Sequence, residues 1–157
     1  MTTAVIADGE TMYRFLECMV AQYMTSPVIT VPRSITVGEL EELFEKHDFN
    51  AFPVMEGQAM LGIATKFDFL KNFAFTTDQM LPSYGELMRR LVGEIMTEAV
   101  VHVEPATPLT RVLQLMVSLK AHSFPVLSAP RHLVGIISRE DVMRALKEAT
   151  EEAAQAP

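Results

Sequence analysis

The chain has 157 residues, enough for one ordinary domain or two small fused halves. Hydrophobic side chains make up 49% of it, which supplies a core and argues against a disordered chain. A formal charge of −7 and a pI of about 5.1 argue against non-specific nucleic-acid binding, which needs a basic surface, but leave room for a small anionic ligand bound by local charge.

Cys18 is the single cysteine, so neither an internal disulfide nor a cysteine zinc cluster is expected, and a reducing cytoplasm is the natural compartment. Met1 to Glu10 has no basic region followed by an apolar run and does not read as a signal peptide. No stretch approaches the roughly 18 apolar residues that a membrane helix needs. His47, His102, His122 and His132 lack metal-ligand spacing, and no metal site is expected.

In chain order, Thr11 to Tyr23 is expected as an N-terminal helix with Met12, Phe15, Leu16 and Met19 on one face. Val28 to Val31 is a short β-branched run ended by Pro32. Thr36-Val37-Gly38-Glu39 has the spacing of a capping box and opens a helix through about Lys46, with Val37, Leu40, Leu43 and Phe44 at the helical period. Ala51 to Met55 and Met60 to Ala64 read as strands joined by the turn Glu56-Gly57-Gln58, and a closing helix starts after Thr65. Phe73 to Leu91 is a connector, broken at Pro82-Ser83 before a short helix from Tyr84.

The plan then repeats. One fixed offset carries Met24-Thr25 to Met96-Thr97, Val28 to Val100, Val31 to Val103, Leu43 to Leu115, and Phe52-Pro53-Val54 to Phe124-Pro125-Val126. After a one-residue insertion between the second and third strands, Gly62-Ile63 matches Gly135-Ile136 and Asp68 matches Asp141. Thr65/Ser138, Lys66/Arg139 and Lys71/Arg144 share that register. The second copy therefore reads as a strand at Val100 to Val103, then a helix capped by Thr107 with Pro108 at its first position and a stripe of Leu109, Val112, Leu113, Met116 and Leu119. Strands at Ser123 to Leu127 and Leu133 to Ile137 follow, and a helix opens at Arg139. The expected division is 1–23 helical segment, 24–73 first repeat, 74–91 connector, 92–148 second repeat, and 149–157 a fraying acidic tail.

The Met-Thr opening, the Phe-Pro-Val strand and the Gly-hydrophobic-x-Ser/Thr-x-x-Asp ending, in that order and twice, resemble the CBS (cystathionine-β-synthase-type) domain over roughly residues 20 to 148. The resemblance implies an α+β fold of two pseudo-symmetric β-α-β-β-α repeats packed as one disc-like module, here with an extra N-terminal helix. It also implies clefts that hold AMP, ADP, ATP or S-adenosylmethionine in many members, and frequent pairing of two discs as a homodimer.

Thr65-Lys66-Phe67-Asp68 and Ser138-Arg139-Glu140-Asp141 sit where a strand becomes a helix. The first amides of a helix lack partners and carry partial positive charge, which suits a phosphate; Thr65 and Ser138 add a hydroxyl, Lys66 and Arg139 full charge. By the resemblance, Asp68 and Asp141 would accept from the ribose hydroxyls. The same Ser/Thr-x-x-Asp pattern is a helix cap that needs no ligand, and both roles stay open. The resemblance places adenine against Val28, Thr30 and Ala51 in the first repeat and Val100, His102 and Ser123 in the second. Phe52, Phe124 and the two prolines read as core or strand-edge residues rather than base-stacking ones. Arg131, His132 and Arg139, placed near the second phosphate end, lead to an expectation of tighter polyphosphate binding there. The eleven methionines read as adaptable core filler.

No nucleophile elbow, Walker loop, Cys-His pair or metal-binding histidine pair is present, so catalysis is not expected. The function expected from the resemblance is a regulatory module that binds an adenosyl small molecule, with no cofactor required, and signals to an unidentified protein target by a conformational shift. The alternative is a ligand-free interaction or dimerisation scaffold. Membrane and nucleic-acid partners are not expected.

Overall fold

The computed structural model describes residues 14–74 and 82–155. In chain order its elements are α1 (Val20–Tyr23), β1 (Val31–Pro32), α2 (Val37–Lys46), β2 (Ala51–Glu56), β3 (Ala59–Thr65), α3 (Lys66–Lys71), α4 (Tyr84–Met88), α5 (Val92–Ile95), α6 (Leu109–Leu119), β4 (Ser123–Ala129), β5 (His132–Ser138) and α7 (Arg139–Gln155). The fold is α+β, and the chain divides into two compact units: Ile29–Val100, and the N-terminal segment through Val28 joined to Val101 onward.

Within Ile29–Val100, β2 and β3 form an antiparallel hairpin from Ala51↔Thr65 to Glu56↔Ala59, and β1 adds in parallel through Val31↔Val54. Thr36 caps α2 by accepting from the Glu39 amide at 3.1 Å, as its spacing predicts. The amphipathic face of α2 buries Val37 and Leu40 and half-buries Leu43 and Phe44. Leu40 makes one core with Val31, Phe52, Val54, Ala64 and Val92, and Leu43 and Phe44 pack against it. Ser83 caps α4, accepting from the Glu86 amide at 3.1 Å just after the expected break at Pro82.

The other unit copies this arrangement. The β4–β5 hairpin runs from Ser123↔Ser138 to Ala129↔His132, and Val103 bridges Val126 in parallel. The register shifts after Val126 as it does after Val54, so the irregularity is repeated too. Val103, Val112, Phe124, Val126 and Ile137 occupy the places of Val31, Leu40, Phe52, Val54 and Ala64. Phe52 and Phe124 are core residues, at 0% and 3% exposure.

The compact units do not follow the sequence repeats, because each repeat's opening segment closes the other repeat's sheet. Thr25 and Ile136 exchange both backbone hydrogen bonds, at 2.8 and 3.0 Å; Thr97 and Ile63 do the same at 2.8 and 2.9 Å. Val20 donates to the Thr107 carbonyl and Val92 to the Ile35 carbonyl, at 2.9 and 2.8 Å. Val20 is then buried in the core of the second repeat's hairpin and Val92 in that of the first. Gly62 and Gly135 sit where these segments cross. A Cβ on Gly62 would collide with the Thr97 carbonyl, and one on Gly135 would fall 2.7 Å from Met24 Sδ.

Several expected elements differ. The first strand of each repeat is shorter: Val28 to Thr30 are outside β1, Pro32 lies inside it, and Val103 alone of Val100 to Val103 is paired. The N-terminal helix is not continuous. Met12 lies outside the described residues, residues 14–16 are helical, and the chain then extends at Met19, which bridges Pro108 while Cys18 accepts from Leu109 N. Backbone used for that pairing is lost to the helix; of the expected apolar face, Phe15 is buried but Leu16 and Met19 are exposed. Pro108 is the N-cap of α6 with ψ 143, outside the helix, and Thr107 Oγ1 accepts from Glu104 N instead of capping. The acidic run after Glu148 is helical through Gln155, anchored by buried Ala149 and by Arg14 to Glu152 at 3.2 Å.

Candidate functional site

At the open end of the β2–β3 hairpin, Ala51 and Thr65 are Cα partners, and the chain turns directly into α3. Thr65 Oγ1 accepts from Asp68 N at 3.0 Å, while Thr65 N and Thr65 Oγ1 donate to Asp68 Oδ2, both at 2.9 Å. Lys66 N donates to the Asn50 carbonyl at 3.0 Å. Ala51, Thr65, Lys66 and Asp68 are thus brought together, and the cap predicted from Ser/Thr-x-x-Asp is made. Asp68 is 2% exposed. Its second oxygen, Oδ1, accepts from Thr97 Oγ1 at 2.9 Å and faces Lys71 Nζ at 3.3 Å.

Ser123, Ser138, Arg139 and Asp141 form the matching end of the β4–β5 hairpin. Ser123 and Ser138 are Cα partners, Arg139 N donates to the His122 carbonyl at 3.0 Å, and Arg139 Nε reaches the Ala121 carbonyl at 2.9 Å. Ser138 N and Oγ donate to Asp141 Oδ2 at 2.9 and 3.0 Å, and Asp141 N returns to Ser138 Oγ at 3.2 Å. Asp141 is 3% exposed, and its Oδ1 faces Arg144 Nη1 at 3.3 Å. Two carboxylates are therefore held in nearly closed sites, each with its cation one helical turn on.

Thr30 and His102 are exposed, each one residue before a paired valine, Val31 and Val103. Val28 and Val100 are half-buried and unpaired in either sheet. Arg131 and His132 are elsewhere: they form the closed end of the hairpin, where Ala129 pairs with His132 and Arg131 has a φ of 61°. Across β5 that is about 20 Å from Ser138, at about 3.3 Å per residue. The expected polyphosphate preference of the second half loses that support, leaving Arg139 against Lys66.

Reading the sequence missed three participants. Thr97 supplies a hydroxyl to Asp68 from the other repeat's opening. Arg144 donates through Nη2 to the Tyr23 carbonyl at 2.9 Å, with its guanidinium carbon 5.6 Å from the Tyr23 ring centre. Tyr23 Oη donates to Glu148 Oε2 at 2.8 Å; burial first, then that hydrogen bond, raises the phenol well above its ordinary pKa. The Lys71/Arg144 match three residues after each aspartate was the available signal.

A family model for the CBS domain matches residues 20–74 and again 92–148. The A-adding tRNA nucleotidyltransferase of Geobacter sulfurreducens is 32% identical over 135 residues, which is 86% of this chain but 14% of that enzyme. The chain also spans only 24% and 45% of two further curated relatives. Among solved structures, CBSX2 in complex with AMP superposes with a TM-score of 0.70 at 24% identity, covering 83% of this chain and 96% of that one. The CBS domain pair of protein MJ0100, in complex with 5′-methylthioadenosine and S-adenosyl-L-methionine, does so at 0.65 and 25% identity, covering 81% and 98%. No helix among the described residues is long and apolar enough to cross a membrane. With both repeats matched in tandem, the chain belongs to the CBS domain family.

Proposed function

We infer that this chain is a non-catalytic regulatory module that binds an adenosyl ligand, AMP, ADP, ATP or S-adenosylmethionine, at the strand-to-helix ends of its repeats. The carrying observation is the pair of closed carboxylates, Asp68 and Asp141, each capped by a hydroxyl and each with one oxygen turned to a cation. A carboxylate oxygen that faces a side-chain cation can exchange that contact for a vicinal diol, and the adjacent Thr65-Lys66 and Ser138-Arg139 supply hydroxyl and positive charge for a phosphate or for the carboxylate of a methionine tail. Ala51 and Thr30 in one unit, and Ser123 and His102 in the other, are positions offered to the base. That CBSX2 holds AMP, and the MJ0100 pair holds 5′-methylthioadenosine and S-adenosylmethionine, supports an adenosyl group as the shared chemistry. Binding favours one conformation of the module, and an unidentified protein target reads it; the shift is bounded by the ligand's differential affinity, about 1–3 kcal/mol. Pairing of two copies is supported by apolar side chains left exposed on α6 and α7, Val117 at 71% and Met143 at 67%.

The test is calorimetric titration with AMP, ADP, ATP and S-adenosylmethionine, with GMP as control, on the wild-type chain and on Asp68→Asn and Asp141→Asn, with circular dichroism to confirm folding. One adenosyl ligand is expected to bind and to lose about tenfold or more in an aspartate variant, a hydrogen bond to a charged group being worth about 1.5–3 kcal/mol. No binding at millimolar concentration of any of them overturns the reading and leaves the interaction scaffold.

A further inference from the structure

We propose that Arg144 couples occupation of Asp141 to release of the chain's opening segment, so that the second repeat carries the signalling contact and the first does not. The proposal rests on the reading that a ligand diol binds Asp141. Asp141 Oδ2 is already satisfied by Ser138 N and Oγ, so a diol must be accepted by Oδ1, where the Arg144 guanidinium stands 3.3 Å away over a carboxylate only 3% exposed. To admit the diol the guanidinium must swing aside. The same guanidinium holds the Tyr23 carbonyl at 2.9 Å and lies against the Tyr23 ring. Tyr23 ends α1, two residues before Thr25, whose backbone pairs with Ile136. A polar pocket of about 350 Å³ beside it, lined by Tyr23, Arg144 and Glu148 among others, gives the side chain room to turn.

The first repeat lacks the device. Lys71 stands in Arg144's place and contacts Asp68 Oδ1 at 3.3 Å, but its ammonium packs over Phe67, and among the described residues it makes no hydrogen bond to α5. Thr97 Oγ1 holds that oxygen instead. Arginine's planar fork is what allows one side chain to serve a carboxylate and a carbonyl together; a lysine ammonium is a point charge.

The experiment is amide hydrogen exchange at Val20, Ala21, Met24 and Thr25, whose amides donate to Thr107, Pro105, Val20 and Ile136, with AMP, ATP or S-adenosylmethionine at saturation measured by calorimetry. In the wild type, bound ligand is expected to speed exchange there about fivefold or more, with amides of β2 and β3 unchanged. In Arg144→Ala and Arg144→Lys, exchange is expected to be fast without ligand and to gain nothing from it. By reciprocity, Tyr23→Ala is expected to tighten ligand binding. Ligand bound to the wild type with these amides unchanged overturns the coupling and leaves the binding site standing. No measurable binding overturns both.

Discussion

Thr97 Oγ1 donates to Asp68 Oδ1 at 2.9 Å, so the opening of the second repeat satisfies a carboxylate buried at the end of the first. Its sequence counterpart Thr25 is exposed and makes no side-chain hydrogen bond among the described residues. Thr97→Val removes a donor from an oxygen that then faces only Lys71, half exposed at 3.3 Å. We expect a loss of about 1–3 kcal/mol, hence a melting point lower by roughly 3–10 °C for a chain of this size. Thr25→Val is expected to stay within about 0.5 kcal/mol of wild type. Paired thermal melts check both, and equal losses would contradict the asymmetry.

The two crossing glycines separate in the same way. An Ala Cβ at Gly62 meets backbone, the Thr97 carbonyl that accepts from Ile63 N at 2.9 Å, so it clashes with a hydrogen-bonded ladder that has nowhere to go. At Gly135 the nearest atom is the Met24 sulfur, the end of a flexible side chain, with the Thr25 carbonyl at 3.1 Å behind it. Gly62→Ala is expected to cost about 3 kcal/mol and Gly135→Ala about 1 kcal/mol, the upper and lower ends of overpacking costs. Urea unfolding of the two variants gives the order directly.

How far the sequence reveals this molecule depends on whether the relevant pattern is local. The hairpins, α2, α4 and both Ser/Thr-x-x-Asp caps are local: Thr36, Thr65, Ser83 and Ser138 bond three residues along the chain, which spacing alone can specify. The swap of opening segments is not local. An offset equates Thr25 with Thr97 but says nothing of what either touches; only the repeated glycine inside each third strand hints that another backbone crosses there. The break at Met19 was hidden for the same reason, since its cause is pairing with Pro108, far along the chain. Arg131 and His132 show the converse error. Counting cations in sequence placed them beside Arg139, while a hairpin puts its two ends a strand length apart.

The caps themselves carry measurable stability. Ser138→Ala leaves the Asp141 amide without its side-chain acceptor and removes one of two donors to Oδ2, and Thr65→Ala does the same at Asp68. Each is expected to cost about 1–2 kcal/mol by chemical denaturation. Thr65→Ser and Ser138→Thr, which keep the hydroxyl, should recover most of it; failure to recover would mean that shape rather than the hydrogen bond sustains the site.

The Tyr23–Glu148 hydrogen bond leaves a signature at alkaline pH. The folded phenol is raised above the value near 10 that a free tyrosine shows, because burial and the Glu148 carboxylate both disfavour the phenolate. Above about pH 10 the unfolded chain therefore releases a proton that the folded chain keeps, so the unfolded state gains and stability falls as pH rises. Below that pH the contribution is fully present. Tyr23→Phe is expected to cost about 1 kcal/mol at neutral pH and to have a shallower fall between about pH 9.5 and 11, on either side of the ordinary value of about 10. Denaturation midpoints measured across that window for both proteins decide it. Parallel curves would mean that the phenol ionises freely in the folded state and that Glu148 does not hold it.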